Sequence, residues 1–116
     1  MTIALVLFAL AALGGVYMAA VRLRGAERPP TAIALVHGAA AVAGLTALIV
    51  AVVTGGSAPG LARTALIVFV VAAAGGFFLF TQHVQKRALP IPGVVIHGLV
   101  AVIGFALLVA AVTHAA

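Results

Sequence analysis

Four apolar stretches, roughly Thr2–Val21, Thr31–Val53, Leu61–Gln82 and Val94–Thr113, leave almost no chain between them. Each runs for about twenty residues, enough at a rise of about 1.5 Å per residue to cross some 30 Å of hydrocarbon. Hydrophobic residues make up 66% of the chain and Glu27 is its one acidic side chain, a balance that a soluble domain of this size does not tolerate on its surface. In lipid, backbone N–H and C=O groups must pair within the chain, which restricts such segments to helices or a closed barrel. Stretches of this length read as helices. The expected fold is all-α: an integral membrane four-helix up-down-up-down bundle, one transmembrane domain over residues 1–116. The first stretch lacks a basic leader and matches the third, so it reads as a retained span and not as a secretory signal.

The chain also reads twice. Leu5 to His37 returns as Leu66 to His97, with Gly14-Gly15 matched by Gly75-Gly76, Pro30 by Pro90, His37-Gly38 by His97-Gly98 and Gly44 by Gly104. Self-similarity at a fixed offset marks repeated supersecondary units. The units here are two duplicated helical hairpins, residues 1–55 and 56–116, punctuated by Pro29-Pro30, by the Gly55–Gly60 segment and by Pro90 and Pro92-Gly93. Copies of the same topology imply a pseudo-two-fold axis along the membrane normal, with equivalent residues at equal depth, and not the inverted repeats of many transporters.

The formal net charge of +5 sits in connections and not in a nucleic-acid-binding stripe. Arg22, Arg24 and Arg28 fall between spans one and two, Lys86 and Arg87 between spans three and four, and only Arg63 near the middle connection. The positive-inside rule then makes the first and third loops cytoplasmic and puts both termini outside, in the inner (plasma) membrane of a prokaryote. The chain has no cysteine, which removes disulfides, thiolate metal sites, iron–sulfur clusters and covalent haem attachment. No acid–base pair, Ser-His-Asp set or phosphate-binding glycine loop is present, so an electron carrier or a subunit is expected before an independent enzyme.

Chemistry concentrates on His37 and His97. Each lies seven residues past a proline, Pro30 or Pro90, about 10 Å below the cytoplasmic interface by helix rise. Gly14, Gly15, Gly75 and Gly76 fall at a similar level on spans one and three, so the four helices present His, Gly, His, Gly around one layer. A haem standing in a bundle needs that division: two facing helices give axial imidazoles, two others leave space for the ring edge. Ala41 and Ala101, one turn beyond the histidines, keep the ligand-bearing faces slim. Arg22, Arg24, Lys86 and Arg87 lie near enough to the interface to neutralise propionates. The same residues admit a plainer reading, because small residues let membrane helices approach closely and a buried histidine can bond a neighbouring helix. His83, which replaces Arg22 in the second copy, is expected to meet water more than a quinone head group or a propionate. His114 reads as solvated, and Glu27 as a weak partner for its flanking arginines.

The layout of His37, His97, Gly14, Gly15, Gly75 and Gly76 resembles four-helix membrane b-type cytochromes, in which histidines on two helices ligate haem while glycines on the others admit it. The resemblance implies one haem b, with His37 and His97 as its metal ligands, and electron transfer with a quinone or a redox partner protein. The competing expectation is a non-catalytic helical subunit that stabilises a larger membrane complex or a homo-oligomer, its histidines structural.

Overall fold

The computed structural model describes residues 1–56 and 58–115. Four α-helices account for most of them: α1 (Thr2–Leu23), α2 (Thr31–Val53), α3 (Pro59–Val84) and α4 (Ile91–Ala115). Each is long and apolar enough to cross a membrane. They form a bundle 42 Å long and 19 Å across in both other directions, a length close to the roughly 40–45 Å of a bilayer with its headgroups. Large apolar side chains such as Ile3, Val36, Phe77 and Val102 face outward, as a lipid solvent permits.

The helices overrun the apolar stretches by a turn or less. α1 continues through Arg22, α3 starts at Pro59 and runs through His83, and α4 takes in Pro92 and Gly93. The prolines cost nothing there, because a first-turn amide has no carbonyl to bond. The ends of α1, α2 and α3 share one device, in which the second residue past the cap donates its N–H back to the last turn: Ala26 to Val21, Gly56 to Ala51 and Arg87 to Gln82. That closure needs a left-handed residue just before the donor. Gly25 (φ 116°) and Gly55 (φ 75°) supply it, whereas α3 uses Lys86 at φ 58°.

α1 packs on α2 and α4, and α3 packs on α4 and α2. The two diagonals meet only through side chains at the axis. Phe8 of α1 and Phe69 of α3 stack there, with ring centres 3.8 Å apart and planes within 1°. Around them Ala4, Ala65, Leu48 and Leu108 are fully buried. Every member of this core has its counterpart in the repeat: Ala4 with Ala65, Phe8 with Phe69, Leu48 with Leu108. Gly44 and Gly104 make room for the stack, since a Cβ on either would sit 3.1–3.3 Å from the Phe8 or Phe69 ring. The repeated glycine on α2 and α4 is thus a seat for an aromatic ring.

At the charged end the two loops are tied together. Leu89 donates its N–H to the Glu27 carbonyl at 3.0 Å, Arg22 Nε donates to the Leu89 carbonyl at 2.7 Å, and Arg28 donates to the Lys86 carbonyl at 2.6 Å. Leu89 is buried beneath this clasp. Arg22→Ala removes a charged donor from a part-buried carbonyl and is expected to cost about 1–2 kcal/mol, read as a lowered unfolding midpoint of the purified protein in detergent. Arg24→Ala, whose side chain is exposed and bonds nothing among the described residues, should leave that midpoint in place.

Candidate functional site

His37 on α2 and His97 on α4 face each other across the diagonal, with ring centres 6.3 Å apart and planes at 81°. Both rings are anchored within their own hairpin. His37 Nδ1 lies 2.6 Å from the Ala11 carbonyl of α1, and His97 Nδ1 lies 2.8 Å from the Ala72 carbonyl of α3. Ala11 and Ala72 are themselves matching positions of the repeat. A carbonyl only accepts, so Nδ1 carries the proton, and in a neutral ring Nε2 then holds the lone pair. Neither Nε2 bonds a protein group among the described residues. His83 Nδ1 is the only buried side-chain nitrogen or oxygen without a partner there, so the Nε2 atoms of His37 and His97 are not sealed off.

The glycine pairs lie against these imidazoles. A Cβ on Gly15 would stand 3.1 Å from His37 Cε1, and one on Gly76 only 2.9 Å from His97 Cε1. On Gly14 and Gly75 the nearest atoms would be 3.5 and 3.7 Å away, an ordinary contact. Gly15 and Gly76 are therefore the members of each pair that the close approach requires. The expectation that these glycines leave room for a cofactor edge gains a second element here: they first make room for the histidine of their own hairpin. Ala41 and Ala101 are partly buried on the same helices.

The basic residues have distinct placements. Arg22 is engaged with the Leu89 and Ala26 carbonyls, while Lys86 and Arg87 are exposed at the end of α3. Glu27 approaches Arg28 at 3.8 Å with its side chain 74% exposed, where screening by water leaves such a pair little value. His114 is exposed. Thr46 hydrogen-bonds its own helix at Val42.

His83 departs from expectation. It does not face water: it is 8% exposed, its Nε2 lies 3.0 Å from the Thr31 hydroxyl, and its ring runs parallel to that of Phe80. The reason is tertiary. The loop clasp brings the start of α2 against the end of α3, and Thr31, which has no polar counterpart in the second copy, reaches the ring. The sequence signal was the exchange of Arg22 for His83 combined with that of Ile91 for Thr31.

Among the described residues no three His, Cys, Asp or Glu side chains gather to hold a metal ion, and His37 and His97 are two imidazoles that face each other inside the bundle. Comparison with protein-family models, with curated proteins and with solved structures returns no match for this chain. The class that fold and site define is a four-helix membrane bundle with a facing histidine pair.

Proposed function

We propose that this protein is a membrane-embedded, b-type cytochrome-like electron carrier, or the membrane subunit of a redox complex, binding one haem b through His37 and His97. The observation that carries the reading is the state of the two rings. Metal-ligating histidines characteristically donate their second ring nitrogen to a backbone carbonyl, which fixes the tautomer and aims the other nitrogen. Both Nδ1 atoms are so anchored, and both Nε2 atoms are unclaimed. The ring centres lie 6.3 Å apart, close enough for both imidazoles to approach one bound group.

In this reading α2 and α4 supply the ligands, Ala11 and Ala72 hold their orientation, and Gly15 and Gly76 let the rings lie close to the neighbouring helices. A haem bound there supplies one-electron redox chemistry. Lys86 and Arg87, with Arg22, provide positive charge toward the same end for its propionates. The bundle runs up-down-up-down from two duplicated hairpins, with both termini outside and the first and third loops in the prokaryotic cytoplasm. A site nearer one face cannot alone carry electrons across the bilayer, so a quinone or a redox partner protein completes the path.

A second reading has its own observation. The close seats at Gly15 and Gly76 satisfy each ring through one hydrogen bond and one tight contact, as expected of histidines that staple α2 to α1 and α4 to α3 in a non-catalytic subunit of a larger complex or homo-oligomer. Absorption separates the two. Protein purified from haem-replete cells is expected to be red, with a low-spin spectrum that sharpens on dithionite reduction. Alanine at either His37 or His97 should abolish that spectrum, whereas His114→Ala should not. Colourless wild-type protein ends the haem reading and leaves the staple.

A further inference from the structure

We propose that the cavity between the start of α2 and the end of α3 binds the phosphate group of an anionic phospholipid through Arg28, Lys86, His83 and the N-terminus of α2. This site includes neither His37 nor His97, shares only Lys86 with the charge proposed for haem propionates, and holds whether or not that pair binds haem.

The cavity measures about 290 Å³ and is lined by Arg28, Thr31, Phe80, His83, Val84 and Lys86, several times the roughly 30 Å³ share of one water. Its most pointed feature is His83, 8% exposed with Nδ1 buried and without a partner. Native structures rarely leave such a group unpaired, and a missing ligand is one standing explanation. The Thr31 hydroxyl beside Nε2 is a donor as well as an acceptor. When it donates to Nε2, the ring proton sits on Nδ1, which leaves that nitrogen a donor with no acceptor among the described residues.

The surroundings are cationic. Arg28 spends one N–H on the Lys86 carbonyl, and its fork keeps further donors; Glu27, at 3.8 Å from the same nitrogen, is the sole acidic side chain near it and is largely solvent-exposed. Lys86 makes no side-chain hydrogen bond among the described residues and holds a left-handed backbone at φ 58°. The first copy of the repeat has Gly25 at that position. α2 begins at Thr31 with no side-chain cap and no acidic residue in its first turn, leaving unpaired N–H groups and the positive end of the helix dipole toward the same corner.

Phe80 and Val84 decide the source of the phosphate. Both line the cavity and both are exposed on the lipid-facing flank of α3, at 37% and 62%, so the charged corner opens along an apolar wall suited to an acyl chain. Basic pockets between membrane helices at the cytoplasmic level bind anionic head groups in this way. The matching corner of the other copy carries Arg22, Gly25, Ile91, Ala19 and Leu23 in place of His83, Lys86, Thr31, Phe80 and Val84. The repeat thus builds the site once.

The test is retention of added lipid by the delipidated full-length protein in neutral detergent, followed by native mass spectrometry. Short-chain phosphatidylglycerol is expected to bind at least about tenfold more tightly than the matching phosphatidylcholine. Lys86→Gly, which suits the left-handed backbone and so keeps the fold, should remove most of that preference, as should Arg28→Gln. Arg63→Gln, near the start of α3 and at the opposite end of that helix from the cavity, should leave it intact. Equal retention of the two lipids, unchanged binding in both Lys86→Gly and Arg28→Gln, or an equal drop in Arg63→Gln overturns the site. Displacement of phosphatidylglycerol by millimolar inorganic phosphate, with no advantage for the acylated form, overturns the lipid source.

Discussion

Gly76→Val is expected to lower stability by about 2–4 kcal/mol, from overpacking together with loss of a part-buried hydrogen bond, and to remove any signal that depends on His97. The first added atom already stands 2.9 Å from His97 Cε1. It belongs to a branched side chain that has little rotamer freedom in a helix. The ring must therefore leave the Ala72 carbonyl or the helices must part. Gly14→Ala is the matched control, since its Cβ meets nothing closer than 3.5 Å and alanine is a better helix former by about 1 kcal/mol. Unfolding in a denaturing detergent titration, with the absorption spectrum recorded alongside, reads both effects. A Gly76→Val protein as stable and as coloured as the wild type would contradict the packing described for this layer.

The second large effect is expected from the aromatic stack. Phe69→Ala leaves a hole at the bundle axis against Phe8, Gly104 and the buried Leu48 and Leu108, and should cost about 3–5 kcal/mol by analogy with phenylalanine truncations in close-packed cores. In lipid the loss is chiefly of dispersion contacts, because hydrocarbon outside the bundle is as apolar as its interior. Phe8→Ala should cost a similar amount. The double variant should cost less than the sum of the two, since either substitution already removes the 3.8 Å ring contact. Additive losses would show that the rings act independently.

Much of the fold was legible because lipid imposes a coarse rule. Twenty apolar residues in hydrocarbon have few ways to satisfy their backbone, and the four spans appear where the apolar stretches predict them, extended by a turn where Arg22, His83 and Pro92 still tolerate a helix. The repeat identified His37 and His97 as partners, and they do meet on diagonal helices. What the repeat left unresolved was the use of each glycine. Gly14 and Gly15 look alike in sequence, yet only at Gly15 would a Cβ crowd the His37 ring, because consecutive helical positions point about 100° apart and the crossing of α1 on α2 selects one of them. Gly44 and Gly104 likewise read as generic small residues until Phe8 and Phe69 are seen to lie on them. The surroundings of His83 are illegible in the sequence for a related reason. Its neighbours in sequence are polar and terminal, while its hydrogen-bond partner, Thr31, stands at the start of α2, which only the clasp brings near.

The sequence by itself determined four helices long and apolar enough to cross a membrane, and which residues match between its two similar stretches, because hydropathy and self-similarity are written along the chain. Only the tertiary structure decided that the repeated histidines are anchored through Nδ1, that the rings of Phe8 and Phe69 fill the axis, and that one corner of the charged end is a cavity. Those outcomes depend on helix rotation and on long-range hydrogen bonds such as Arg22 to Leu89, which arise from packing and leave no mark in local pattern.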